Sequence, residues 1–590
     1  MDPNATESII NNGLLFDGTG ASAAVKSIRI QKGRITEIAD TPLRAAGRGK
    51  ANVIDATGRW ITPGFIDIHT HYDAEVEAMP ELPESLRHGV TTCFLGSCSL
   101  STAIGTADDL ADMFTRVEAI PYEHLLPLLR KKKKWNSFGE YADHLNSLPL
   151  GPNLASFVGY SAVRTHVMGL DRSLDKKIRP TDQEEKSMRA LIHAGLDAGY
   201  LGLSLNTLYW DKMGGTRFRS HCLPSTYASW GELSRMISIV RQRDSILQAV
   251  PNISTKYEVF AYAAFSAGLF RKKLRTSLVS LMDIHSNPQI YILLRALGHM
   301  FNKVWRADFR YQSLPEMFDL WADGIDLVVF EEFGAGDAAL HLETMIEQRR
   351  ALLKDPAYRR KFKSQWRNPL LPKVFHRDFR KAVILESPEA ELVGKTFQQI
   401  AGERRQHVVD AFLDLIARYD KKLRWYTQMG NTRPGPLGKI IDYSGAMIGF
   451  SDAGAHLRNM AHYNFPLRML RFVRDQERAG QPVMPLEKAV WRLTGELADW
   501  HGIEAGKLRV GDRADLVIID PEQLDERVDA IHEENMPAFG NYRRLVRRND
   551  ETVNAVFVNG RVAVQNGKPV AGMGKKSGYG RFLRASNSQA

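Results

Sequence analysis

The fold is decided by one stretch of this 590-residue chain, Ile61-Thr-Pro-Gly-Phe-Ile-Asp-Ile-His-Thr-His-Tyr-Asp73. The apolar residues of 65–68, preceded by the turn signal Pro63-Gly64, predict a short buried strand. Side chains alternate along a strand, so His69 and His71 project from the same face and can bind one metal ion together. Two imidazoles at a strand tip are typical of a catalytic metal site in the mouth of a barrel.

Size and composition indicate a globular protein with more than one domain. The chain is longer than a usual single domain, and its 44% hydrophobic and 25% charged residues are ordinary for a folded protein. No apolar run is long enough to span a membrane, and Met1–Ile10 lacks the pattern of a secretory signal. Three cysteines cannot build a disulfide framework, which is typical of a reducing compartment. We therefore expect a cytoplasmic protein with no membrane partner.

The net charge of +11 is concentrated most sharply in the run Arg130-Lys-Lys-Lys-Lys134. A run this short, with no nucleic-acid-binding module around it, is more typical of a solvated surface than of a nucleic-acid site. We expect no nucleic-acid partner. The positive charge instead favours an anionic small molecule, such as one that carries a carboxylate.

The two ends of the chain share a pattern of short β-type stretches and turns. Asn-Gly pairs, a strong hairpin signal, occur at 12–13, 559–560 and 566–567. We expect residues 1–60 and 505–571 to form one composite β-sandwich domain. The Gly- and Lys-rich segment 572–590 is expected to be a flexible tail.

Residues 61–504 alternate apolar strands with helical segments, as a (β/α)8 barrel requires. Helices are predicted at Thr181–Ala198 and Trp230–Arg243. The stretch 331–441 is too long for a loop, and we expect a mostly helical insertion there; its apolar content argues against the alternative of a disordered linker. The eight candidate strands end near His69, Gly96, Gly159, Ser204, Val250, Asp283, Phe330 and Asp452.

Cys98 is the first candidate partner of the histidine pair. It follows the predicted second strand, so it lies on the same rim of the barrel as His71. A thiolate there is a strong zinc ligand, whereas most free cysteines are small buried residues. The nearby pair of histidines favours the ligand interpretation for Cys98. Cys93, inside the strand, is expected to belong to the core.

Asp452 is the second candidate partner, at the end of the apolar strand Ala446–Asp452. In the last strand of a barrel it would face the site opened by the first strand. A carboxylate there can bind metal and exchange a proton with a metal-bound water. The alternative role is that of a helix N-cap. His456, four residues later, is either a substrate-binding or supporting residue or a surface histidine.

These motifs resemble the amidohydrolase superfamily. The likeness lies in Pro63–Asp73, in Gly89-Val-Thr-Thr92 and in Ser451-Asp452 with His456. Gly511–Val517 and Val558-Asn559-Gly560 resemble the β-sandwich of that superfamily. Cys98 within Gly96-Ser-Cys-Ser99 narrows the resemblance to the D-aminoacylases, or N-acyl-D-amino-acid deacylases. Asn153–Gly159 and Gly202-Leu-Ser204 are similar to strands three and four of that family.

The resemblance implies a zinc enzyme with one or two ions that hydrolyses an N-acyl-D-amino acid to a carboxylate and a D-amino acid. By position, Cys98 would bind zinc, and His69 and His71 would form a second or alternative metal position. Zinc would activate a water for attack by lowering its pKa to about 7. Asp452 would take the proton from that water and pass it to the leaving amine.

The chain departs from the family at strands three, five and six. Gln248 stands where strand five carries a metal histidine, and Tyr160 ends strand three where a histidine is often found. At strand six, either His285 enters the coordination sphere or Asp283 replaces the missing ligand. Since Gln is a poor zinc ligand, the alternative is a metal that rests on His69, His71, Cys98 and Asp452.

Two other functions stay open. One is hydrolysis of a cyclic amide, as in hydantoinases, although no lysine ends strand three or four to bridge two metals. The other is a catalytically silent scaffold of the same fold, suggested by the missing histidine at strand five. Arg164 and Arg433 are conceivable partners of a substrate carboxylate, with surface arginines as the plainer interpretation. The sequence does not indicate the oligomeric state.

Overall fold

The computed structural model describes residues 7–45, 51–253, 255, 257–369, 371 and 373–586. Its centre is a ring of eight parallel strands in which each strand pairs with the next and the eighth pairs with the first. This closed ring is a (β/α)8 barrel, as the sequence predicted. In order, its strands are Phe65–Asp67 with His69–Thr70, Val90–Leu95, Asn153–Ser156 with Val158–Gly159, Gly202–Asn206, Ile246–Val250, Arg275–Val279, Asp308–Ser313, and Ala446–Ile448 with Phe450–Ala453.

Helices cover the outside of the ring. The helix predicted from Thr181 spans Asp182–Asp197, with Thr181 as its N-cap in a reciprocal capping box with Glu184. The other prediction is realised as Trp230–Gln242. The remaining barrel helices are Glu75–Ala78, Pro83–Leu86, Ala107–Glu118, Tyr122–Lys132, Phe138–Ser147, Tyr160–Met168, Leu170–Ser173, Tyr257–Ser266, Ile290–Val304, Phe465–Arg478, Leu486–Leu493 and Gly495–His501. Within the described residues, no helix is both long and apolar enough to cross a lipid bilayer.

The seventh barrel strand was placed wrongly by the sequence. It is Asp308–Ser313, whereas Phe330 lies in the 3-10 helix Val328–Glu332 of the insertion. Polar and apolar residues alternate over most of the true strand, in which the apolar Phe309 and Tyr311 are buried. The continuous apolar run near Phe330 resembled a buried strand more closely, and only packing separates the two.

The insertion therefore begins directly after Ser313 rather than at residue 331. It combines helices with a three-stranded antiparallel sheet around an aromatic core that includes Phe330, Trp366, Phe412 and Trp425. Its strands are Phe318–Asp323, Val383–Glu386 and Arg424–Gly430, and its helices are Gly334–His341, Ile346–Lys354, Pro356–Arg367, Phe397–Glu403, Val408–Tyr419 and Pro434–Ile441. This core gives the insertion a fixed shape, so its described part is not a disordered linker.

A nine-stranded sheet joins strands from both ends of the chain. Asn559-Gly560 and Asn566-Gly567 turn its hairpins with positive φ at each residue, as expected. Asn12-Gly13 instead forms a bulge inside the first strand, where the register shifts between Ile10 and Gly13. The strands are Glu7–Leu15, Ala24–Gln31, Arg34–Ala39, Ala51–Asp55, Trp60–Pro63, Leu516–Ile519, Val553–Val558, Arg561–Gln565 and Lys568–Pro569, with a separate hairpin at Ile531–Met536 and Tyr542–Arg547.

Much of the segment expected to be a flexible tail is packed against the barrel. The Leu583 amide donates to the carbonyl of Leu154 in the third strand, at 2.6 Å. Phe582 and Leu583 are both buried. Because these apolar side chains are buried, the expectation of a flexible tail is wrong for this part of the segment. Residues 587–590 lie outside the described range.

A candidate metal centre at the mouth of the barrel

His69 and His71 are held at the carboxyl end of the first strand by its two neighbours. The amide of His71 donates to the carbonyl of Ala453 in the eighth strand at 2.7 Å. On the other side, the Thr70 hydroxyl donates to the carbonyl of Phe94 in the second strand, also at 2.7 Å. Both imidazoles are buried, and their ring centroids are 5.4 Å apart. The strand therefore brings the two rings together as its alternation predicts.

Cys98 and Asp452 complete the group from the adjoining strands. Cys98 Sγ lies 3.3 Å from His69 Nε2. Asp452 Oδ1 lies 3.6 Å from the same nitrogen and 3.2 Å from His71 Nε2. Cys98 and Asp452 both have positive φ, of 52° and 60°, a strained backbone conformation that turns each residue at the end of its strand. A nitrogen of each histidine and the thiol sulfur all lie within 4.8 Å of one another.

Gln312 fixes the orientation of His69. It lies in the seventh strand, which the sequence prediction had placed elsewhere. Its Oε1 lies 2.6 Å from His69 Nδ1, and its amide nitrogen donates to Ser277 at 2.7 Å. A carboxamide oxygen only accepts, so Nδ1 carries the proton and Nε2 keeps its lone pair toward Cys98. Sequence reasoning missed Gln312 because it had no strand at 308–313. The alternation of that strand was the available signal.

Gln248 lies under the histidine, at the position where the resemblance implied a metal ligand. Its Oε1 accepts a hydrogen bond from Ser204, and its amide nitrogen lies 3.4 Å from His69 Nδ1. Ser204 Oγ in turn accepts from the Ser99 amide at 2.8 Å, so the Ser204 hydroxyl hydrogen points to Gln248. These hydrogen bonds turn the side-chain nitrogen of Gln248, and not its oxygen, toward His69.

The electrostatics of the group are set by burial and by Asp452. Burial alone would raise the pKa of Asp452, but the hydrogen bond from His71 and the nearby imidazoles hold it well below its usual range. Burial, with a smaller effect of His71, lowers the pKa of His69 to about 4, so this ring is neutral. Burial raises the pKa of the Cys98 thiol well above its usual value. Without a cation, the sulfur therefore keeps its proton.

His285 is not brought to this group. Its Nε2 lies 2.7 Å from the Thr432 hydroxyl, and its Nδ1 lies 3.4 Å from Lys381 Nζ of the insertion. Asp283, the alternative at strand six, forms an ion pair with Arg433 at 2.6 Å. The loop after strand six carries both residues into contact with the insertion, which the sequence pattern could not indicate.

Other candidates occupy structural roles. Tyr160 and Arg164 both donate to the buried carboxylate of Glu232, at 2.6 and 2.8 Å, so Arg164 is already paired inside the core. Cys93 is buried, as expected. His456 lies close enough to Asp452 for the two charges to interact; burial, the largest effect, lowers the pKa of His456, and Asp452 opposes it.

Above the group, ion pairs tie the barrel loops to the insertion. Arg116 lies 2.8 Å from the buried Glu331, and Lys212 lies 3.0 Å from Asp337. Next to Lys212, burial raises the pKa of Asp211 to about 6, with His71 opposing the rise. Asp211 is a second acidic group near the site that sequence reasoning missed, because it belongs to a loop after the fourth strand.

Comparison with known proteins places this geometry in a family. No protein-family model matches the chain. Uncharacterized proteins of Mycobacterium bovis and Mycobacterium tuberculosis are 47% identical to it over 585 residues, 98% of this chain and 95% of theirs. The D-aminoacylase of Alcaligenes xylosoxydans xylosoxydans is 23% identical over 547 residues, covering 90% of this chain and 93% of the enzyme.

Solved structures agree with the sequence comparison. A D-aminoacylase structure described for its binuclear metal centre has a TM-score of 0.61 at 20% identity, covering 98% of this chain and 99% of its own. An N-acyl-D-glutamate deacylase from Bordetella bronchiseptica, complexed with zinc and a phosphonate inhibitor, also scores 0.61, at 19% identity and with 99% and 100% covered. The barrel and the residues at its mouth define an enzyme of the amidohydrolase class. The chain shares a family with the mycobacterial proteins, and it resembles the D-aminoacylases more distantly in sequence and in fold.

Proposed function

We propose that this protein is a zinc-dependent hydrolase of linear amides and that its substrates are N-acyl-D-amino acids. The observation that carries the proposal is the convergence of His69, His71, Cys98 and Asp452 at the carboxyl ends of three barrel strands. The similarity to D-aminoacylases along nearly the whole chain supports the substrate class.

The donor set suits a zinc ion. Two imidazoles and a thiolate are ligand types that zinc takes in proteins, and three protein ligands would leave a position for water beside the Asp452 carboxylate. His69 Nε2 has its lone pair toward Cys98, and His71 Nδ1 is buried without a hydrogen-bond partner among the described residues. The histidines are buried, whereas Cys98 and Asp452 are partly exposed, so the group is open on the side where a substrate would enter.

We propose one zinc ion rather than two. Ligands for a second ion would come from strands five and six, where Gln248 and Ser277 are already engaged in the hydrogen bonds around His69 and Gln312. His285, the other candidate, is bonded to Thr432. A bound zinc supplies a Lewis acid that polarises the amide carbonyl and lowers the pKa of a water to about 7.

The protein's own residues would orient that chemistry and move the protons. Gln312 holds His69 with Nε2 toward the site. Asp452 is ionised and accepts from His71, so its carboxylate is ready to take a proton from the attacking water and return it to the leaving amine. Arg116, paired with the insertion residue Glu331, is a cation of the rim close enough to affect the pKa of Asp211 and His456, and we assign it to an anionic substrate.

The test is metal analysis of the purified protein, with deacylation assays on both enantiomers of N-acetyl amino acids. We expect about one zinc per chain and activity on the D series. Cys98→Ala should lower metal content, and Asp452→Asn should lower kcat by about 10²–10⁴ with metal retained. Cys93→Ala, a change to a buried cysteine inside the second strand, should alter neither metal content nor kcat.

Three results would contradict the proposal. Equal activity on the L series would exclude the assigned substrate class. Hydrolysis of hydantoins with no activity on linear amides would favour the cyclic-amide alternative. If Cys98→Ala and Asp452→Asn change neither metal content nor any hydrolysis, the chain is a scaffold that keeps the fold.

A further inference from the structure

One side of the barrel carries an apolar surface that the described residues leave uncovered. It is formed by helices Tyr257–Ser266 and Ile290–Val304 and by the loop 267–273, and we call it the apolar face. Of the fourteen large apolar side chains exposed among the described residues, seven lie on this face, which is less than a tenth of the chain. Phe270 is 100% exposed and the other six are 41–59% exposed. The seven are Tyr257, Phe260, Leu269, Phe270, Ile292, Leu293 and Val304.

The two helices and the loop form one continuous surface. The rings of Phe260 and Phe301 meet edge to face with centroids 5.5 Å apart, which joins the two helices. The Gly268 amide donates to the carbonyl of Trp305 at 3.0 Å, which joins the loop to the end of the second helix. Both helices run away from the metal-centre end of the barrel, since each follows a barrel strand. Large exposed apolar surfaces of this kind mark interaction sites.

The loop that presents Phe270 is held in place by arginines. Arg241 donates to the carbonyls of Lys272 at 2.5 Å and of Phe265. Arg271 donates to the carbonyl of Ala264, also at 2.5 Å. A fixed loop therefore carries a fully exposed phenylalanine at its tip, where the ring contributes nothing to the core of the protein.

The margin of the apolar face is positively charged. Between residues 253 and 306 the only acidic residues are Glu258 and Asp283, and both are buried. Two further acids from flanking segments, Asp244 and Asp308, lie 3.2 and 3.5 Å from Lys272 and Lys273 and offset part of the charge. The exposed basic residues of this margin are Arg271, Lys272, Lys273, Lys303 and Arg306.

We propose that the apolar face is a docking surface for anionic lipid bilayers, a peripheral contact that differs from the expectation of no membrane partner, which was based on spanning segments. Phe270 and Leu269 would enter the boundary between headgroups and acyl chains, and Lys272, Lys273 and Lys303 would contact lipid phosphates. An apolar group flanked by basic residues is the combination that binds reversibly to negatively charged membrane surfaces. A second copy of the chain fits less well, because a two-fold interface here would place the positive margin against itself.

The test uses the full-length protein and vesicles. Co-sedimentation is measured with vesicles of phosphatidylcholine alone and of phosphatidylcholine with 30% phosphatidylglycerol. We expect binding to the anionic vesicles that weakens with added salt. Replacing Lys272, Lys273 and Lys303 together with alanine should weaken it about 100-fold, because each basic residue near such a surface contributes roughly a fivefold factor. Phe270→Ser should weaken it about 10- to 100-fold through lost apolar burial.

Two matched controls distinguish binding through the apolar face from effects of net charge or of exposed apolar side chains elsewhere. Replacing Lys131, Lys132 and Lys134 with alanine changes net charge equally but elsewhere on the surface. Val510→Ser removes an exposed apolar side chain outside the apolar face, since Val510 is 63% exposed. Both controls should bind anionic vesicles as the unaltered protein does.

Three outcomes would overturn the proposal. The first is equal or absent binding to both kinds of vesicle. The second is an equal loss of binding in the lysine control, which would show a general charge effect. The third is a dimer in sedimentation velocity that Phe270→Ser dissociates, without vesicle binding, which would assign the apolar face to a second copy. Ile292→Ser, on the second helix, repeats the comparison independently of the loop.

Discussion

Gln312→Leu would remove the acceptor that fixes the tautomer of His69 while nearly conserving side-chain volume. The lost bond is 2.6 Å long and lies where His69 is 1% exposed, so water cannot readily replace the acceptor. Gln248 cannot replace it either, because its oxygen is engaged with Ser204. The Nδ1 proton is then left unpaired, or it moves to Nε2 and blocks the lone pair that faces Cys98.

The magnitude follows from these two possibilities. An unpaired buried donor costs about 1–3 kcal/mol of free energy. Removing the group that orients a metal-binding histidine typically lowers metal affinity or activity 10- to 100-fold, or about 1.4–2.7 kcal/mol. We therefore expect Gln312→Leu to lower zinc affinity 10- to 100-fold and to lower the free energy of unfolding of the metal-free protein by about 1–3 kcal/mol.

Zinc affinity would be measured by competition with a chromophoric chelator, and stability by urea unfolding of the metal-free protein. Gln312→Glu restores an acceptor for His69 and should bind zinc within about threefold of the unaltered protein. Ser313→Ala removes a neighbouring hydrogen bond from Ser313 to the Leu281 carbonyl and should change stability alone. If Gln312→Leu binds zinc as tightly as Ser313→Ala, the orientation of His69 does not depend on Gln312 and the reasoning is refuted.

Three further predictions concern stability. Burial lowers the pKa of His88 to about 3. The unfolded chain binds this proton near pH 6.5, so the free energy of unfolding falls as the pH drops below 6.5, by about 2 kcal/mol between pH 6.5 and 5. In urea unfolding, His88→Gln should remove that part of the pH dependence. Trp425→Ala in the insertion core should cost about 3–5 kcal/mol in the same assay, and a loss below 1 kcal/mol would contradict the packing described. Arg164→Ala should cost about 3–5 kcal/mol because it leaves Glu232 buried without its cation; a loss of substrate affinity at unchanged stability would instead make Arg164 a substrate ligand.

Much of the barrel could be predicted from local pattern. Strands that are buried on both faces appear as apolar runs, and their ends then place His69, His71, Cys98 and Asp452 on one rim. The sequence reasoning missed the seventh strand because four of its six residues are polar. Gln312 is one of those residues, so the error in the fold and the missing support of His69 have the same cause.

The sequence by itself determined the eight-stranded class of fold, the joining of strands from its two ends and the resemblance to D-aminoacylases, because these depend on short-range periodicity and on local motifs. Only the tertiary structure decided which polar side chains meet. His69 and Gln312 are 243 residues apart in the chain, and they become hydrogen-bond partners because the closure of the barrel turns both inward. The same closure leaves His285 with the insertion and holds residues 582–583 against the third strand, since these contacts depend on packing between distant segments.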